Sequence, residues 1–136
     1  MTQPFIYPFL RYENCRAAID WLCEAFGFEQ SMVVPGKGDA IDHAQLKIGD
    51  GMIMLGTGLS PKTRGWRPKG FQSVEQGLYV YVPDVDAHHA RAEAADADIV
   101  RPIEVMGYGS REYAAIDPEG YYWSFGTYGP GHDGSS

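Results

Sequence analysis

Basic residues are scarce in this chain: eleven Lys and Arg stand against eighteen Asp and Glu in 136 residues, a formal charge of −7. No broad cationic face is available to displace counterions from a phosphate backbone, so nucleic acid is excluded as an expected partner. Long apolar runs are missing as well. None approaches the roughly 20 residues that cross a bilayer, and no membrane partner is expected. The opening Met1-Thr2-Gln3-Pro4 carries neither a basic n-region nor a cleavage site. No signal peptide is visible, and a cytoplasmic location is expected. Cysteine is nearly absent. Cys15 and Cys23 fall in one expected helix, about 12 Å apart at 1.5 Å rise per residue. A disulfide needs Cα atoms within roughly 7 Å, so the two cannot bridge within the chain. They also lack the spacing of a redox or zinc motif, which leaves buried thiols as the better reading.

What is present is an ordinary apolar share, 44%, enough to exclude wholesale disorder. The length suits one domain, expected over residues 1–128, with 129–136 as a flexible tail. Asn14 is a good helix N-cap and Gly27 a good left-handed stop. Between them Ala18, Ile19, Leu22, Ala25 and Phe26 form one apolar stripe at helical spacing. A second helix is expected after Asp84, with Val85, Ala92 and Ala95 on its core side. Strands are expected at 6–12, 30–34, 43–48 and 52–55, then again at 77–82, 99–105, 111–116 and 121–125. Pro8 suits an edge or early strand position.

The order strand–helix–strand–strand–strand therefore occurs twice, offset by about 70 residues. Asn14 falls on Asp84, Leu10 on Val80, Ile53 on Trp123 and Leu55 on Phe125. The expected fold class is α+β, with two βαβββ modules, at about 4–58 and 76–128, forming a curved mixed sheet around a trough.

The segments Leu10-Arg11-Tyr12-Glu13-Asn14, Ala17 to Leu22, Phe26-Gly27-Phe28, His43-Ala44-Gln45-Leu46 and Gly51 to Leu55 carry a resemblance, together with Asp117 to Thr127. In that order they resemble the vicinal-oxygen-chelate superfamily of glyoxalases, extradiol dioxygenases and bleomycin-resistance proteins. The Asp-Pro-x-Gly turn before Trp123-Ser124-Phe125-Gly126-Thr127 is similar to its poorly characterised glyoxalase-like branch. The likeness covers nearly the whole chain except the tail. It implies that metal-dependent members place ligands on the first and last strands of each half. Carried over by register, those places are Tyr7, Met54, Gly77 and Ser124, none a normal ligand for a divalent cation. No metal and no cofactor are expected. His88 and His89 are adjacent on a helix and cannot share a metal, and His132 sits in the Gly-rich tail.

With metal set aside, the inward strand positions are the candidate ligand-binding residues: Tyr7, Phe9, Arg11, His43, Gln45, Met52, Met54, Tyr79, Tyr81, Tyr122 and Ser124. Rings and thioethers with a few polar handles suit a planar or aromatic small molecule. His43 reads either as a hydrogen-bonded wall residue or as a general acid/base. The basic stretch 60–73, with Lys62, Arg64, Arg67 and Lys69 around Trp66 and Phe71, reads equally as a lid or arm and as a solvated connection. Arg111 is open to Glu112, Glu104 or a ligand carboxylate. The leading expectation is a homodimer that binds an aromatic molecule without the metal, in the manner of drug sequestration. The rivals are a lyase, isomerase or dioxygenase-like enzyme with a non-standard site, and a dimerisation module without a small ligand.

Overall fold

Asn14 and Asp84, a repeat apart in the chain, perform the same task in the computed structural model, which describes residues 4–63, 65 and 76–129. Each is an N-cap. The Asn14 side chain accepts from Ala17 N–H (3.2 Å) to start α1 (Cys15–Phe26), and Asp84 accepts from Ala87 N–H (3.0 Å) to start α2 (Val85–Ala94). Gly27 ends α1 at φ 83°, a conformation glycine adopts without strain.

The strands are β1 (Phe9–Tyr12), β2 (Glu29–Pro35), β3 (Ile41–Ile48), β4 (Gly51–Thr57), β5 (Gly77–Tyr81), β6 (Asp98–Val105), β7 (Arg111–Ile116) and β8 (Tyr122–Gly126). They form two four-stranded mixed sheets, ordered β1-β4-β3-β2 and β5-β8-β7-β6. Each has one parallel pair, β1 with β4 and β5 with β8, as a βαβββ unit requires. The fold is α+β with two such modules. Strand β1 is shorter than the expected 6–12, because Pro8 has no N–H to give; its carbonyl still accepts from Met54 N–H (2.9 Å). Pro35 and Pro102 lie on β2 and β6, the outer strands, where a missing ladder donor costs least.

One hydrophobic core serves both modules. Leu10, Tyr12, Leu46, Ile53 and Leu55 of the first sheet share it with Tyr113, Ala115, Trp123 and Phe125 of the second. Between them lie Leu22 and Phe26 of α1 and Val85 and Ala92 of α2. Phe26 packs on Phe125 (4.6 Å between centroids) and Trp123 (5.5 Å). Polar groups complete this joint. Arg91 of α2 donates to Glu24 O (2.7 Å) and Cys23 O (3.0 Å), capping the last carbonyls of α1. Trp21 Nε1 donates to Ala95 O (3.1 Å). His88 bridges Phe26 O (2.8 Å) and the Tyr113 hydroxyl (2.6 Å); burial of its imidazole holds its pKa below the ordinary value.

The Asp117-Pro118-Glu119-Gly120 turn is a second clasp between modules. Buried Asp117 accepts from the Tyr12 hydroxyl (2.6 Å), Trp123 Nε1 (3.0 Å) and the amides of Glu119 and Tyr121. The Glu119 carboxylate accepts from the amides of Glu13 (2.6 Å) and Asn14 (2.8 Å) at the mouth of α1. The turn that carries the strongest sequence signature thus ties the last hairpin to the β1–α1 junction. Cys15 is buried and Cys23 half-buried, both free, and burial raises the Cys15 thiol to about 11.

Candidate ligand-binding faces

Because the helices and both inner strand faces share the core, the opposite faces point away from it. On the first sheet, Leu10 and Tyr12 turn inward, which leaves Phe9 and Arg11 of β1 outside. Ile53 and Leu55 do the same on β4 and present Met52 and Met54; Ala44 and Leu46 on β3 present His43 and Gln45. The Arg11 guanidinium lies 4.5 Å from the Phe9 ring centroid, and Phe9 and His43 have centroids 6.4 Å apart. The Gln45 amide nitrogen sits 3.0 Å from His43 Nε2. Gly56 clears the bed: a Cβ there would lie 2.7 Å from Arg11 Nη1 and 3.5 Å from the Phe9 ring.

On the second sheet Leu78 and Val80 pack on the core, while Tyr79 and Tyr81 stay exposed on the other side. Ser124, between the core residues Trp123 and Phe125, faces outward beside Tyr79 and Tyr81. Tyr122 is also on this face but is only 4% exposed, packed with Ala114 and Ile116. Beside them is a polar cluster that the expected set does not contain. The Glu112 side chain, also buried, accepts from the Tyr108 hydroxyl (2.6 Å) and faces Arg101 Nη2 at 3.4 Å. The hydrogen bond to Glu112 pushes the Tyr108 phenol up to about 12, with desolvation second. Tyr79 donates to Tyr128 O (2.5 Å). Strand parity was the signal for Glu112: Tyr113 faces the core, so its neighbour must face away.

Phe9, Met52, Tyr79, Tyr81 and Tyr122 line one groove of about 1450 Å³, between the open edges of β1 and β5, with Phe26 and His88 also in its wall. Arg11, His43, Gln45, Met54 and Ser124 lie outside that groove. The candidates are thus spread over this groove and the outward strand faces of the two sheets. Tyr7 is exposed in the stretch before β1. Arg111 meets neither Glu112 nor Glu104; it forms a two-pronged pair with Asp86 (2.8 and 3.0 Å), tying β7 to α2. Of the basic stretch, Lys62 N–H donates to Glu119 O (2.8 Å) and Thr63 donates to Glu13 (2.9 Å). Arg64, Trp66, Arg67, Lys69 and Phe71 lie outside the described residues, as does His132.

Two curved βαβββ sheets with a helix behind each define the class to which the comparisons also lead. Residues 5–125 match the family described as the Glyoxalase/Bleomycin resistance protein/Dioxygenase superfamily, and the chain belongs to it. An uncharacterised Mycobacterium bovis protein, Mb0911c, is 30% identical over 127 residues, covering 92% of this chain and 84% of that protein. The crystal structure of TioX from Micromonospora sp. ML1 is similar with a TM-score of 0.72 and 33% identity, covering 90% of this chain and 94% of that one. The fosfomycin resistance protein FosX from Mesorhizobium loti shares the fold at a TM-score of 0.69 and 14% identity, over 95% and 94% of the two chains.

The metal that the resemblance associates with this fold can be tested against the donors present. Of the four places carried over, Gly77 pairs with Tyr122 and has no side chain to offer, and Tyr7 is exposed in the stretch before β1. The Met54 thioether is too soft for a hard cation, and the neutral hydroxyls of Tyr7 and Ser124 are weak donors. Among the described residues no group of three or more His, Cys, Asp or Glu could hold a metal ion. These positions do not fit the group.

Proposed function

We propose that this protein binds a planar or aromatic small molecule on the strand faces opposite its helices, as a metal-independent binding protein of the drug-sequestering kind. One observation carries the reading. Phe9, Tyr79 and Tyr81 stay exposed on those faces, with Met52 and Met54 half-buried beside them, although the chain has a complete core elsewhere. Rings and thioethers held at a groove favour stacking partners, and tyrosine hydroxyls tolerate a wet cavity better than a dry one. The family's description includes bleomycin resistance proteins beside glyoxalases and dioxygenases, so a binding role is one of those it accommodates.

The working unit is a cytoplasmic homodimer. Among the described residues β1 and β5 each pair on one side only, and the exposed Phe5, Ile6 and Phe9 flank the first of these edges. A second copy covering them would bring a first-sheet face against a second-sheet face and complete the trough. Titrating the protein with a panel of planar heteroaromatic compounds, reading tryptophan fluorescence and sedimentation together, should give saturable quenching by some of them from a dimer. Absence of binding across the panel would remove the reading.

An enzymatic role for His43 is the second reading, favoured by the Gln45 contact, which fixes one ring nitrogen and frees the other. Loss of turnover in His43→Ala with ligand affinity retained would establish it.

A further inference from the structure

Arg11 forms no ion pair with another described residue, and unlike a trailing surface cation it lies against a ring. The ion pairs among the described residues are Arg101 with Glu104 and Glu112, and Arg111 with Asp86; Arg91 caps α1. The side-chain polar contact of Arg11 is a long one, Nη1 to Thr57 O at 3.4 Å, in a chain of net charge −7. Yet the side chain is placed, not trailing in solvent. Gly56 and Gly58 are the floor beneath it: a Cβ at Gly58 would lie 2.9 Å from Arg11 Cδ, and one at Gly56 2.7 Å from Nη1. Its carbon stem is laid along two glycines, and its head stands over the Phe9 ring at 4.5 Å. His43 adjoins the same ring. His43 Nε2 meets the Gln45 side-chain amide at 3.0 Å.

We infer that Arg11 is an anion-recognition residue, and that the ligand of the first-sheet face is an aromatic carboxylate. The guanidinium fork matches a carboxylate in geometry and charge, and a carboxylate coplanar with its own ring can reach Arg11 while that ring lies along Phe9, Met54 and His43. This rests on the reading that the faces bind planar molecules and adds the charge of the molecule to it. An Arg11 that instead meets an acidic group of a second copy is the competing occupant.

Calorimetric titration of the full chain with 2-naphthoate and with its neutral isostere 2-naphthamide separates these cases. Wild type should bind the acid about tenfold or more tightly than the amide, the advantage of a charge-assisted over a neutral hydrogen bond. Arg11→Gln should abolish that preference by weakening the acid about tenfold more than the amide. Arg11→Lys, which keeps charge without the fork, should retain only part of it. Equal binding of acid and amide by wild type overturns the inference, as does equal weakening of both in Arg11→Gln. So does a shift of Arg11→Gln from dimer to monomer with acid preference intact. If neither naphthalene binds but other planar compounds do, this inference fails alone. If nothing planar binds, the reading beneath it fails as well.

Discussion

The two sheets of this protein have the same frame and opposite chemistry. Phe9 and Met54 pair in the first as Tyr79 and Ser124 do in the second, and Gly56 and Gly126 follow at the same step. Arg11 stands where the second module has Tyr81, Gln45 where it has Ala114, and His43 where it has Glu112. The first face is thus open, basic and sulfur-rich, with exposed Phe9 and Arg11. The second is more closed, acidic and phenolic: Glu112, Ala114, Ile116 and Tyr122 are buried on it. A duplicated scaffold conserves what the backbone needs, caps, turns and core, and leaves the outward positions to diverge because no packing constrains them. The difference also gives a reason for bringing unlike faces together in a dimer, since each supplies a polarity that the other lacks.

The largest expected effect falls on what the faces share. Trp123→Ala removes a fully buried ring in contact with Phe26 and Phe28 and a donor to Asp117, and should cost about 3–5 kcal/mol by urea denaturation. If the protein lost little stability, the modules would not depend on one core and the comparison would be between independent halves. Gly126→Ala and Gly56→Ala test the equivalence itself. At Gly126 a methyl would meet buried Glu112 at 2.6 Å and Tyr79 at 2.7 Å, an overpacking worth about 1–3 kcal/mol. At Gly56 it meets the end of the exposed Arg11 side chain at 2.7 Å, which can be displaced from its place, and the Asp42 carbonyl less closely at 3.2 Å, so the cost should be smaller. Equal costs would contradict the closed-against-open distinction.

Acid should loosen the joint between modules through His88. Its folded pKa lies below the unfolded value near 6.5 because burial disfavours the imidazolium. The unfolded chain takes the proton first. The contribution is therefore complete above the unfolded pKa and is lost as pH falls below it. Denaturation midpoints measured from pH 7.5 to 5 should fall more steeply for wild type than for His88→Gln. The smallest effect is spectroscopic. Glu112→Gln should lower the Tyr108 phenol from about 12 toward the ordinary value near 10, seen as a tyrosinate absorbance step missing in Tyr108→Phe. An unmoved phenol would mean that Glu112 does not organise the second face.

Much of this architecture was legible residue by residue. Asn14, Asp84 and Gly27 announced the helix ends through local hydrogen-bonding and φ requirements, which neighbours alone decide. Alternation placed Leu10 inside and Arg11 outside because the strand period is two. The clasp was not legible: Asp117 receives Tyr12 across 105 positions of chain, and no local pattern records that partner. Glu112 was overlooked for a related reason. In sequence it is one carboxylate beside Arg111, and the structure gives that arginine to Asp86 and gives Glu112 to Tyr108 and Arg101.

By itself the chain's order of residues determined the elements, their repetition and which side of each strand meets the core, since these follow from periods of 3.6 and 2 and from the chemistry of caps. Only the tertiary structure decided that the modules meet helix to helix and that their outer faces lie on two sheets. That choice depends on how Phe26, His88, Trp123 and Phe125 fill a common volume. Packing of that kind is a property of the assembled shape and has no period to read.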